Sequence, residues 1–322
     1  MAAFTSGRPG LLKNVSRENK QLLSTFSGLF VIGIIFTILS PYFLSVNNLL
    51  TVATQTAIIA IIAIGQTYVM ITTGIDLSIG SNIALSGMVA GMAMAAGLPI
   101  PVAITMALLS GCLVGLLNGV MVSYGRIPPF IATLGTMTAI RGVSLTLTQG
   151  IPISGLPKNF TIMGTGSIAG IPIPVILMVV LTVIFGFVLA RTKLGRHVYA
   201  TGSNLDAARL SGIDTKAVLI KVYVISGFLA AFAGLIMAAR IISSQPSAGD
   251  GYELDAVASS VIGGTSTLGG EGLIGGTFIG AFIIGILRNG LNLVGVSPFI
   301  QKIIIGVVIV GSVFMDRIKR KD

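Results

Sequence analysis

The sequence predicts an all-α polytopic membrane protein of about ten transmembrane helices, arranged as two inverted five-helix repeats. Three observations predict it. Apolar residues make up 53% of the 322 positions and charged residues only 9%, against roughly a quarter charged in soluble domains. Mean hydropathy is +0.98. The apolar stretches recur at helix-spanning length, and their order echoes between the two halves of the chain.

At 1.5 Å of rise per residue a span needs about 20 apolar residues. Spans are predicted at 22–40, 49–73, 79–97, 101–123, 129–149, 172–190, 217–239, 255–269, 273–293 and 298–315. Pro41, Pro99, Pro128, Pro129, Pro172, Pro174 and Pro298 fall between spans or at their starts, where a missing N–H does least harm. The stretch 22–39 is apolar with no small-residue cleavage site before Pro41, so it is expected as a retained first span. The stretch 255–269 is short and Gly-rich and is the weakest; it could be re-entrant, but removing one crossing would put the basic C-terminal tail outside.

Orientation follows from Lys and Arg, which concentrate on cytoplasmic segments. Arg8, Lys13, Arg17 and Lys20 lie in a basic tail over 1–21. Arg317, Lys319, Arg320 and Lys321 lie in another over 316–322. Arg191, Lys193, Arg196, Arg209, Lys216 and Lys221 follow the sixth span. With Arg126 these share one side when the membrane domain 22–315 makes ten crossings, so both termini are expected in the cytoplasm. The net charge of +10 thus serves membrane orientation, not nucleic-acid binding.

The halves correspond weakly in sequence. Gly74-Ile75-Asp76-Leu77 matches Gly251-Tyr252-Glu253-Leu254, and Ser86-Gly87 matches Gly263-Gly264 at the same offset. Gly115-Leu116-Leu117-Asn118-Gly119 resembles Gly285-Ile286-Leu287-Arg288-Asn289-Gly290, with one extra residue, and Pro129-Phe130-Ile131 matches Pro298-Phe299-Ile300. A five-span unit repeated in tandem must be inverted, which is a transporter arrangement. Glycines spaced by four, as at Gly87–Gly91, Gly111–Gly115–Gly119 and Gly272–Gly276–Gly280, allow close helix crossings in lipid.

Enzyme chemistry finds little support. Cys112 and His197 are each the only residue of their type, which excludes an internal disulfide and argues against a transition-metal site; no paired catalytic carboxylates or nucleophile–base pair stand out. Gly270-Glu271-Gly272-Leu273-Ile274-Gly275 fits G-x-G-x-x-G but opens an apolar span, not a βαβ unit, and no G-x-x-x-x-G-K-[ST] occurs. The chain therefore carries no ATP cradle of its own. Ionisable or amide groups at membrane depth are functional candidates instead. Asp76, Asn118, Arg141, Arg288, Asn289 and Asn292 are candidates for a translocation path, Lys302 is a further charged position, and Glu253 and Asp255 are candidates for an external docking surface. Asp76, Glu253 and Asp255 each also read as helix N-terminal caps.

The longest cytoplasmic segment is 191–216. Within it Asn204 reads as an N-cap, Asp206 as a first-turn acid and Gly212 as a C′ glycine. So short a helix cannot persist alone in water and must dock on something. Asp206-Ala207-Ala208 followed by Gly212 resembles the E-A-A-x-x-x-G loop of ABC importer permeases, with Asp in place of Glu. Thr73-Gly74-Ile75-Asp76-Leu77-Ser78-Ile79-Gly80, Phe130-Ile131-Ala132-Thr133-Leu134, Gln245-Pro246-Ser247-Ala248-Gly249, Gly251-Tyr252-Glu253-Leu254-Asp255-Ala256, Gly263-Gly264-Thr265-Ser266 and Asn289-Gly290-Leu291-Asn292-Leu293-Val294-Gly295 extend the likeness. Over about 40–315 the chain is similar to ribose-type monosaccharide ABC permeases. The resemblance implies a bacterial inner-membrane protein that pairs with a second copy, a cytoplasmic ATPase that binds ATP and Mg, and a soluble sugar-binding protein. It makes Asn204, Leu205, Asp206, Ala207, Ala208, Arg209 and Gly212 the contact to the ATPase. Ribose is the expected substrate, with galactose, xylose, arabinose, inositol and a furanose-like signal as close alternatives. An ion-coupled secondary transporter would share the repeat but would need no such helix.

Overall fold

A computed structural model describes residues 17–319. The helices are α1 (Arg17–Leu39), α2 (Val46–Ile71), α3 (Ile79–Ala95), α4 (Ile100–Ser123), α5 (Pro129–Thr146), α6 (Lys158–Thr165), α7 (Ile173–Arg191), α8 (Lys193–Ser203), α9 (Leu205–Leu210), α10 (Thr215–Ile241), α11 (Tyr252–Ile262), α12 (Ile274–Leu293) and α13 (Pro298–Lys319). Four two-residue strands add only a clip between 153–154 and 243–244 and a small ribbon at 167–172. The chain is an all-α multi-pass membrane protein. Of the described helices, α2, α4, α7, α10 and α12 are long and apolar enough to cross a membrane by length and composition.

The starts are set locally. Ser45 accepts the Asn48 N–H to cap α2, and Pro101, Pro129 and Pro174 occupy first-turn positions of α4, α5 and α7. The centre of the bundle is α2 and α10. Ile58 to Ile64 of α2 are almost wholly buried, as are Val222, Tyr223, Leu229 and Ile236 of α10. Around them α1, α4, α5, α7 and α13 turn Leu, Ile, Val and Phe outward, as a lipid solvent permits.

Glycine sets the closest crossings. Gly111, Gly115 and Gly119 of α4 lie against the backbone of α10 at Gly227, Tyr223 and Ile220. Gly276 and Gly280 of α12 lie against Gly263 and Ser259 beside α11. Two of the three expected glycine rows are therefore backbone contact seams, where any side chain would push the helices apart.

The span expected at 255–269 is different. Helix α11 has only 11 residues, about 16 Å of rise against a hydrocarbon core of about 30 Å. Beyond it the chain turns through Gly264, Gly269 and Gly270, all at positive φ. The segment is half a crossing whose second half is an irregular turn. Irregular backbone at depth survives where protein surrounds it, and here Gly270 N–H donates to Ile71 O at 2.9 Å.

The expected terminal tails shift as well. Helix α1 already begins at Arg17 and α13 continues to Lys319, so Arg17, Lys20, Arg317 and Lys319 belong to helices. Arg8, Lys13, Arg320 and Lys321 lie outside the described residues.

Candidate functional site

The structure sorts the candidate residues into three places. The first is a sealed polar cluster where α2, α3, α4, α5 and α10 meet. Asp76 Oδ1 accepts from the Ser78 N–H at 3.0 Å and the Ser78 hydroxyl at 2.6 Å, and Oδ2 accepts from Ser226 Oγ at 2.8 Å. Gln66 Oε1 accepts the Asp76 N–H at 3.3 Å. Asn118 Nδ2 donates to Ser78 Oγ at 2.8 Å, and Thr136 Oγ1 donates to Asn118 Oδ1 at 2.7 Å. Asp76 is 1% exposed and Asn118 0%. Ser78, not Asp76, is the N-cap residue of α3; Asp76 instead holds the turn ahead of it. Neither Asp76 nor Asn118 borders a cavity described below.

The second place is a polar cavity of about 200 Å³, lined by Gln55, Ile59, Arg240, Tyr252, Gly285, Arg288, Asn292 and Gln301. Arg288 Nη2 contacts both oxygens of Asp255, at 2.9 and 2.7 Å. The Asp255 side chain is 0% exposed and that of Arg288 32%. Asp255 is thus enclosed and committed to Arg288, which removes it from the docking surface expected for it. The Arg288 guanidinium lies 5.8 Å from the Tyr252 ring centroid. Gln301 Nε2 donates to Asn292 Oδ1 at 2.7 Å and to Val296 O at 2.9 Å. Of the expected path residues, Arg288 and Asn292 reach this cavity. Asn289 does not: it exchanges two 3.0 Å amide hydrogen bonds with Asn48.

Arg141 and Glu253 are also turned inward. Arg141 Nη1 donates to Pro246 O at 3.0 Å and Ala248 O at 2.8 Å, tying α5 to the turn before α11. Glu253 is half-buried against Gly80 of α3, with Oε2 enclosed and unpartnered, so it too sits within the bundle and not on an outer loop. Lys302 is exposed and lies 3.9 Å from exposed Asp250, a pair that contributes little.

The third place is the segment 191–216. Helix α9 is capped as its residue types require: Asn204 Oδ1 accepts the Ala207 N–H at 2.9 Å, Asp206 stands in the first turn, and Gly212 closes the end at φ +81°. Asp206 and Arg209 are 3.9 Å apart and exposed. Leu205, Asp206, Ala207, Arg209 and Leu210 face solvent, Leu210 at 91%. Ala208 points the other way and is buried, so it anchors α9 to its own chain. Helix α8 was not expected. Its Gly195 and Gly202 lie against Leu189 O and Ile71 O, so α8 is seated on the ends of α7 and α2. Two glycines seven residues apart share a helix face, and that spacing was the available signal. A cleft of about 630 Å³ beside this hairpin is bordered by Arg126, Arg209, Lys216 and Leu205.

Fold and sites together define a membrane transport subunit: apolar spans, a polar chamber within the bundle, and a short presented helix on a basic face. Residues 48–313 match the family described as the permease component of branched-chain amino acid transport systems. The chain belongs to that permease family. Among curated relatives it is similar to the ribose import permease protein RbsC of Bacillus subtilis, 47% identical over 302 residues covering 93% of this chain and 94% of the relative. The RbsC of Escherichia coli K12 is 44% identical over 98% of both chains. The D-allose transport system permease AlsC of Escherichia coli K12 is 40% identical over 92% of both. The chain is thus a ribose-type member of the family. No solved structure matches it.

Proposed function

We propose that this chain is the pore-forming subunit of an ATP-driven importer for ribose or a closely related monosaccharide, seated in a bacterial cytoplasmic membrane with both termini inside. The observation that carries the proposal is α9, a capped helix of six residues. It presents apolar Leu205 and Leu210 beside Asp206 and Arg209, on a chain that matches ribose permeases over nearly its whole length. A helix this short, with Leu210 almost fully exposed, fits a surface that another protein covers. The partner is a cytoplasmic ATPase that binds ATP and Mg. A soluble sugar-binding protein delivers substrate outside, and a second copy of this chain completes the pore.

Ten crossings in two inverted halves remain the reading of the fold, with α11 and its turn as the eighth. Packing supports it. If α1–α5 correspond to α7 and α10–α13, then α4 against α10 should mirror α12 against α2. Likewise α3 against α10 should mirror α11 against α2, and α3 against α5 should mirror α11 against α13. All six pairings occur.

The test is uptake of labelled D-ribose into proteoliposomes holding this chain, with a ribose-binding protein and an ABC ATPase from the same genome. Uptake that needs both partners and ATP supports the proposal. Uptake driven by an ion gradient without the ATPase would replace it with a secondary transporter.

A further inference from the structure

Helix α10 leaves the α9 hairpin at Thr215 and reaches the polar cavity at Arg240, 27 residues in all, so the cavity lies about 40 Å of helix away from the hairpin. It is the end of the bundle that faces the binding protein in the proposed orientation. We infer that this cavity is the permease's own sugar site, which reads a neutral polyhydroxylated solute through Gln55, Arg240, Arg288, Asn292 and Gln301 beside the Tyr252 ring. The inference rests on the importer reading and names the site within it.

The chemistry of the lining selects the ligand class. Gln301 Nε2 is occupied by Asn292 Oδ1 and Val296 O. This leaves Gln301 Oε1 as an acceptor and Asn292 Nδ2 as a donor with no partner among the described residues. Gln55 brings one acceptor and one amide donor, likewise unpartnered. The Arg240 guanidinium stands near Tyr252 and makes no hydrogen bond or ion pair among the described residues. Donors and acceptors therefore share one chamber. An inorganic anion would use the donors but meet the amide oxygens. A hydroxyl donates and accepts at once and can use both. Asp255 holds Arg288 and cancels its charge, which makes Asp255 a positioning residue.

The chamber is small and open on one side, and its groups are neutral amides for the most part. Such a site holds sugar weakly, as suits a pore that must release its cargo. Affinity is supplied by the soluble partner.

The test places a cysteine in the chamber of the full chain. In a Cys112→Ser background, Ile59→Cys, which lines the chamber but is not one of the sugar-reading groups, is labelled by a membrane-impermeant maleimide in intact cells lacking the binding protein. A large excess of D-ribose should slow labelling at 59 and leave exposed Lys302→Cys unchanged. Adding Gln55→Met should weaken the protection by roughly two- to tenfold, the loss of one neutral hydrogen bond. Sodium gluconate, an anion, and choline, a cation, should protect less than ribose. No protection by ribose in a chain whose wild type imports it with ATPase and binding protein would overturn the inference and leave the importer reading intact. Equal protection by gluconate would overturn the ligand class. Absence of ATP-dependent uptake by the wild type would overturn the importer reading itself.

Discussion

The crossing of α4 and α10 supports a sharp test, because its geometry sets the cost. A Cβ on Gly115 would lie 2.9 Å from the Tyr223 carbonyl carbon and from Val224 Cα, and closer still to the Tyr223 oxygen. Ordinary contacts begin at 3.4 Å, so the helices must part by at least about 0.5 Å, and a gap of that size already forfeits a quarter of each contact's attraction. Backbone cannot swing aside as a side chain can, and a Cβ on Gly111 or Gly119 of the same face would also meet α10 closer than 3.0 Å. Overpacking of this kind costs about 1–3 kcal/mol, offset in part by up to about 1 kcal/mol for replacing a helical glycine. Gly142 on α5 is the control: nothing lies within 4 Å of its Cβ, so Gly142→Ala keeps only the gain. The two variants should differ by about 2 kcal/mol, or about 3 °C in melting temperature for a chain of 322 residues. Melting followed by size-exclusion fluorescence in mild detergent reads this. Gly115→Ala melting at or above Gly142→Ala would refute the reasoning.

Arg288→Met should leave Asp255 enclosed without a cation and lower stability by about 3–5 kcal/mol, whereas Arg288→Met with Asp255→Leu should recover most of it; the same melting assay checks both. Asn118→Leu removes two buried hydrogen bonds, to Ser78 and from Thr136, and should cost about 1–3 kcal/mol without altering insertion, as read by membrane yield and melting. Gly212→Pro forces φ from +81° to about −65° and Asp206→Lys reverses the first-turn charge; both should leave insertion intact and separate ATP hydrolysis from ribose uptake in the reconstituted complex.

Legibility followed the strength of the local signal. The cap and stop of α9 were readable because Asn204, Asp206 and Gly212 act through neighbouring backbone. Spans such as α7, apolar along their length and mostly turned outward, were readable from hydropathy. Helix α11 was not, because 11 residues with a partner-dependent turn carry little hydropathy of their own. The chamber was half readable. Arg288 and Asn292 stand out as polar groups in an apolar span, but Gln55, Arg240, Tyr252 and Gln301 become one site only when α2, α10, α11 and α13 converge. Glu253 and Asp255 misled for a related reason. An acidic pair just ahead of an apolar run looks like a surface loop until the preceding turn is seen folded into the bundle, held by Arg141.

The two buried polar clusters differ in charge as they differ in the water that reaches them. Ser78–Asn118 is wholly dry, while Asp255–Arg288 borders the chamber with Arg288 32% exposed. Enclosing two charges costs several kcal/mol per ion, and attraction returns that only with good geometry and some residual hydration. A neutral hydroxyl–amide pair meets a far smaller penalty once each group is bonded. An ionic pair is therefore tolerable in the slot that water reaches, and a neutral pair in the slot that it does not. Closing the chamber would dry Arg288, a cost that the neutral Ser78–Asn118 cluster never meets, so the state with the chamber open should be the resting one.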